Sequence, residues 1–166
     1  MDRRNFLRAA ALGTAAVALP AAAGAEAAPA ADSPGTPAAY ALDELSLDQL
    51  RQAMEAGQHA ARSLVDAYRK KIAEVDQAGP RLNSVIELNP DAQAIADALD
   101  AERKAGKVRG PLHGIPVLIK DNIDTADKLQ TTAGSLALLG SMPARDSAVA
   151  QRLRAAGAVI LGKTNL

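Results

Sequence analysis

The stretch Gly110-Pro111-Leu112-His113-Gly114-Ile115-Pro116-Val117-Leu118-Ile119-Lys120-Asp121-Asn122 sets one lysine at the end of an apolar strand. Four of the five residues before Lys120 are Ile, Val or Leu, which is the pattern of a strand covered on both faces. Gly114 and the Pro116 ring imply a tight entry, with the proline near the first residue of the strand. Where this strand opens into the polar Asp121-Asn122 turn, a lysine can be partly desolvated. Desolvation disfavours the ammonium, so a neutral amine becomes available as a base near neutral pH. The competing reading is a strand-end lysine whose head group snorkels to water.

The segments around this strand alternate between helix and strand. Ser46-x-x-Gln49 forms a capping box that opens a helix to about Ala56, halted at Gly57. Between Ala60 and Val75 the apolar residues Ala61, Leu64, Val65, Tyr68, Ile72 and Val75 recur at helical spacing, with Arg69, Lys70 and Lys71 on the wet side. Asn83 to Leu88 reads as a short strand. Asp91 is expected to cap a third helix whose apolar face is Ala94, Ile95, Ala98 and Leu99, ending at Lys104-Ala105-Gly106. Thr125 to Gly140 turns from polar to apolar, with a short helix near Ser135 to Leu139. Asp146 is expected to cap a helix through Ala156, stopped by Gly157, and Ala158 to Leu161 is a buried strand. The alternation predicts an α/β fold with at least partly parallel pairing.

Gly157-Ala158-Val159-Ile160-Leu161-Gly162-Lys163-Thr164 matches the phosphate-loop pattern G-x-x-x-x-G-K-T. Such a loop follows a strand and opens a helix, so that successive amides wrap a phosphate. Here the first glycine follows a helix and the intervening residues form a strand, whose N–H groups alternate in direction. Nucleotide binding is therefore rejected. His113, in a Pro-Leu-His-Gly turn, is expected to hydrogen-bond backbone, and His59 reads as a helix-boundary residue. Two separated histidines without paired carboxylates make no metal site, and no cofactor is expected.

Lys plus Arg and Asp plus Glu both number 19, so no net field recruits nucleic acid or an anionic membrane. The chain has no cysteine, which excludes disulfides, thiolate metal sites and a cysteine-linked lipid anchor. Asp2-Arg3-Arg4-Asn5-Phe6-Leu7-Arg8 is a twin-arginine n-region followed by a weakly apolar stretch from Ala9 to Ala23. That stretch is shorter than the ~20 strongly apolar residues of a membrane span, so no stable membrane anchor is expected. Cleavage candidates end at Ala23, Ala25 and Ala27. Residues 1–27 thus read as a twin-arginine (Tat) signal peptide engaging the Tat export machinery, with an exported, periplasmic or secreted product. Residues 28–40, with Pro29, Pro34 and Pro37, read as a flexible linker. Residues 41–166 are the folded portion, with a core of Ala, Leu, Ile and Val because aromatics are nearly absent.

The lysine-bearing run resembles that of the amidase signature family, serine hydrolases that cleave carbon–nitrogen amide bonds. The resemblance extends from about Leu45 to Leu166. It includes Gly79-Pro80-Arg81-Leu82-Asn83, Thr131-Thr132-Ala133-Gly134-Ser135, Asp146-Ser147-Ala148-Val149 and Gly157 through Leu166. Val85-Ile86-Glu87-Leu88-Asn89-Pro90-Asp91-Ala92 is most similar to exported members of the peptide-amidase kind. The resemblance implies the N-terminal part of the amidase signature fold, a mixed sheet covered by helices and incomplete here. It also implies a nucleophilic serine, a second serine in a cis peptide arrangement, and Lys120 as the catalytic lysine, with no metal or cofactor. Asp121 and Asn122 adjoin Lys120 and are expected as supporting groups, and Thr131, Thr132 and Ser135 resemble a substrate loop near the family's active site. In the family both serines lie in a Gly-Ser-rich stretch downstream of these segments, and no such stretch occurs in the chain. By itself the chain is therefore expected to supply only the lysine for a small-molecule or peptide amide substrate. The alternatives are a catalytically inactive exported fragment and the glutamine-hydrolysing subunit of a tRNA amidotransferase, the latter disfavoured by the export signal.

Overall fold

The computed structural model describes residues 41–166; the signal peptide predicted over 1–27 and the linker over 28–40 lie outside the described residues. Helix α1, Leu47–Glu55, begins at the Ser46–Gln49 capping box, with both reciprocal hydrogen bonds formed. Helix α2, Ala61–Lys71, continues without interruption into a wider π-helical segment, Ile72–Ala78. Strand β1, Val85–Leu88, helix α3, Ala92–Lys104, and strand β2, Pro116–Lys120, follow. A 3₁₀ turn at Leu136–Leu138, helix α4, Ala148–Ala155, and strand β3, Val159–Thr164, complete the described residues.

The sheet has the order β1-β3-β2. Central β3 pairs antiparallel with β1 and parallel with β2, so the sheet is mixed, as expected for this α/β arrangement. Pro116 opens β2, where a missing N–H costs the ladder least. Strand alternation along β3 divides the core. Val159 and Leu161 join Leu50, Met54, Leu64, Val65, Ala96 and Leu99 beneath α1–α3. Ile160 turns the other way, to Ile119, Leu129 and Ala150 under α4. Full burial of one such aliphatic side chain stabilises by roughly 1.5–3 kcal/mol, so these small clusters carry most of the cohesion.

Three local expectations are corrected. Asp91 does not cap α3 with its side chain. Instead the amide Oδ1 of fully buried Asn89 accepts from the Asp91 N–H at 2.9 Å, while Lys128 draws the Asp91 carboxylate outward. Asn89 also ties the helix entry to β3, its Nδ2 donating to the Ile160 carbonyl at 2.9 Å and its backbone N–H to Leu161 at 2.8 Å. The face of α3 is offset from the expected one: Ala92, Ala96 and Leu99 are buried, Ile95 is half-buried, and Ala94 and Ala98 are exposed. Helix α4 is capped by Ser147, whose Oγ accepts from the Ala150 N–H. Asp146 is taken by the Ala126 N–H at 2.7 Å and by Arg154 Nε at 3.0 Å, interactions no local rule anticipates.

Asp76 closes the π-helical segment onto β1. Its carboxylate accepts from the Ser84 hydroxyl, the Ser84 N–H and the Val85 N–H. The Ser84 hydroxyl above all, with the two amides, holds this carboxyl below its usual range against a desolvation that pushes upward. The stabilisation is fully present above the ordinary Asp value of about 3.9 and is lost as pH falls toward the lower folded value. Thermal unfolding followed from pH 6 downward should show this acid loss, and Asp76→Asn should flatten it.

Candidate active site

The carboxyl end of β2 is where the chemistry-bearing residues gather. Lys120 is the last residue of β2 and stands in register with Thr164 of β3. By alternation it shares the face of Pro116 and Leu118, which line an open, mainly apolar cavity of about 410 Å³ with Tyr68, Ile72, Val75 and Leu161. Lys120 is exposed, as is Leu118. The expected desolvation of Lys120 is therefore corrected among the described residues. β2 is an edge strand, and nothing among the described residues covers the end of that face.

Behind the lysine the turn is tied down by hydrogen bonds. Asp121 is 1% exposed, and its backbone N–H continues the ladder to the Thr164 carbonyl at 3.1 Å. Its carboxylate accepts from the Thr132 hydroxyl and from the Thr132 N–H at 3.2 Å, and its carbonyl accepts from the Ala133 N–H. The chain that leaves β2 at Asp121 is thus brought back against the same residue at Thr132. Asn122 is exposed at the turn, and Ser135 is exposed beyond the returning arm of the loop, so neither is gathered with Asp121. Thr131 is buried and faces inward, away from solvent.

The return of the loop is made by a strained turn. Ala133 and Gly134 both have positive φ, +49° and +71°, and the Ser135 N–H bonds the Thr132 carbonyl at 2.9 Å, the pattern of a type I′ turn. An alanine in this region costs about 1 kcal/mol relative to glycine. Ala133→Gly should therefore raise stability by about 0.5–1 kcal/mol, measurable by urea denaturation.

The residue that sequence reasoning missed is Lys163. It is fully buried, and its Nζ donates to the Ile123 carbonyl at 2.8 Å, the Gln130 carbonyl at 2.9 Å and Thr131 Oγ1 at 2.9 Å. Three acceptors match the three N–H groups of an ammonium. Burial pushes its pKa down, while the carboxylates of Asp121, Asp127, Glu87 and Asp124 pull it back up. The signal lay in the length of the strand: once β3 runs through Thr164, Lys163 sits inside an otherwise buried apolar strand. The phosphate-loop reading is rejected on the same evidence, since Val159–Thr164 is strand and its lysine is sequestered.

His113 sits as expected, 1% exposed, with Nδ1 accepting from the Arg109 N–H at 3.2 Å and Nε2 set 2.9 Å from the Leu99 carbonyl. Among the described residues there is no cluster of three or more His, Asp or Glu able to hold a metal ion. Among them, too, no helix is long and apolar enough to cross a membrane.

Residues 63–166 match the family model Amidase, and residues 1–20 match the TAT (twin-arginine translocation) pathway signal sequence, which marks the chain for export out of the cytoplasm. The fold is similar to that of the native peptide amidase from Stenotrophomonas maltophilia, with a TM-score of 0.73 and 52% identity, over 76% of this chain and 26% of that one. The chain is 46% identical over 125 residues to a Schizosaccharomyces pombe protein carrying the amidase name, covering 75% of this chain and 21% of the relative. It is 38% identical over 124 residues to a glutamyl-tRNA(Gln) amidotransferase component from a Synechococcus strain, covering 74% of this chain and 24% of the relative. The chain thus spans about a quarter of the length of the proteins it matches.

Proposed function

The chain belongs to the amidase family, and on that premise we propose that it carries the lysine base of a serine hydrolase acting on amides outside the cytoplasm. The observation that carries this reading is Lys120: an exposed amine ending an edge strand whose Pro116 and Leu118 line an apolar cavity, on a turn held from behind by buried Asp121. In this reading 1–27 is the signal, 28–40 the linker and 41–166 the N-terminal portion of the amidase domain. The nucleophilic and bridging serines belong to the three quarters of the family's length outside the stretch matched here. Polypeptide supplying them would also close over the open face of β2, providing the desolvation that Lys120 lacks among the described residues.

In the proposed reaction neutral Lys120 takes a proton from the bridging serine, which in turn takes one from the nucleophilic serine. The serine oxygen attacks the amide carbon, and backbone N–H groups stabilise the oxyanion. The carbon–nitrogen bond breaks as the proton held by Lys120 is returned through the bridging serine to the leaving ammonia or amine. Water then cleaves the acyl-serine to the carboxylic acid. Likeness to a peptide amidase supports a peptide amide as substrate, and the export signal supports a periplasmic site of action and opposes a transamidating role on tRNA.

The periplasmic product of the native cell tests this directly. An intact mass several times the 17.1 kDa of this sequence, with ammonia released from a C-terminally amidated peptide, is the expected result. A mass at or below 17.1 kDa without ammonia release would leave an exported, catalytically inert chain instead.

A further inference from the structure

Lys163 lies in the central strand one residue before Thr164, the partner of Lys120 in the parallel ladder, and directly opposite Ile119. Its ammonium reaches three points of the loop that leaves β2: Ile123 just after the turn, and Gln130 and Thr131 on the way back. The next residue, Thr132, holds the Asp121 carboxylate, and Asp121 is covalently next to Lys120. One continuous chain of contacts therefore runs from Lys163 through Thr131 and Thr132 to Asp121 and the base. An apolar residue at this position would fill space but would leave two part-buried carbonyls and a buried hydroxyl without this donor. A buried lysine is costly to desolvate, and what it achieves here that packing cannot is to fix the outgoing and returning arms of one loop at a single atom.

We infer that Lys163 is a positioning residue for Lys120, its Nζ locking the 121–132 loop and hence the turn that aims the base. The inference rests on the amidase reading above. Lys163 itself touches no substrate; it acts through Thr131, Thr132 and Asp121.

The test uses the native gene product and two variants, Lys163→Met and Thr131→Val. Active sites are counted with a fluorophosphonate, a serine-directed covalent probe, so that turnover is expressed per competent molecule. A merely structural lysine would lower the number of competent sites and leave each one as fast as before. A positioning lysine lowers kcat per titrated site, because a small misplacement of the base is felt in the transition state and not in substrate binding. The expected result for Lys163→Met is a fall in kcat per site of at least about thirtyfold with KM within about threefold. Thr131→Val, which removes one of three acceptors, should fall about three- to tenfold with the same split. Unchanged kcat per site in a folded Lys163→Met would overturn the inference. If that variant yields no soluble protein, unchanged kcat per site in Thr131→Val overturns it equally. Absence of amide hydrolysis in the wild type would instead remove the amide-hydrolase reading, and full activity in Lys120→Ala would remove Lys120 as its base; either takes the inference with it.

Discussion

Lys120→Ala in the native gene product is expected to lower amide turnover by at least about a thousandfold, within the range by which a positioned acid–base group contributes. Among the described residues the side chain is exposed at the end of an edge strand, and the β2–β3 ladder is made by backbone groups that its truncation leaves in place. The variant should still unfold cooperatively, so that lost turnover is not lost fold. Asp121 keeps its bonds to Thr132, Ala133 and Thr164 whatever side chain precedes it. The loss should therefore appear in kcat, with KM little changed. Lys120→Arg should be nearly as damaging, because a guanidinium keeps its proton and cannot act as the base. Turnover of the alanine variant within about tenfold of wild type would end the assignment of Lys120.

The largest effect on the fold should come from Gly162→Ala. Gly162 lies in the central strand, paired with Leu88 on one side and Leu118 on the other. A Cβ built there would stand 2.3 Å from the Glu87 carbonyl oxygen and 3.2 Å from Leu88 Cα, both backbone atoms that no rotamer change can move. Relief requires β1 to shift from β3, which would break the ladder that also carries the Asn89 bonds to Ile160 and Leu161. Overpacking of this kind costs about 3 kcal/mol or more, so urea denaturation should show a strongly reduced midpoint or no cooperative transition. A loss below about 1 kcal/mol would mean the strands are not packed this closely.

What could be read from the residues differed from element to element, for physical reasons. The β2 segment was legible because four branched or aliphatic residues before a lysine and an Asp-Asn turn admit few other structures, and Pro116 marked its start. That one of its faces would be open was not legible, because the same pattern suits a strand buried on both sides. The face of α3 was misplaced because Ala92, Ala94, Ala96 and Ala98 are equivalent in apolarity, so the periodicity lacks a phase until Leu99 and the sheet supply one. Asp146 and Ser147 are adjacent and equally able to cap. Arg154, folded back from the last turn of α4, decides between them, and that contact is invisible locally. Within the candidate site, Asp121 was singled out by its place beside Lys120 and Thr131 and Thr132 by resemblance, and their mutual contacts emerged only in three dimensions. Lys163 was in plain view inside a phosphate-loop look-alike. Rejecting the nucleotide reading left it without a role, although a lysine in a buried strand always requires acceptors.

The position of β3 in the sheet governs when the molecule can become a sheet at all. Among the described residues neither β1 nor β2 pairs with the other; both pair with β3, which is translated after them. Until the ribosome has delivered Thr164, two apolar strands wait without hydrogen-bonded neighbours. Distant pairing of this kind slows folding and lengthens exposure to association. The export signal at residues 1–20, by contrast, is the first part made. A pathway that accepts cargo only after it has folded resolves that mismatch in timing: recognition early in synthesis need not become departure until β3 has joined β1 and β2.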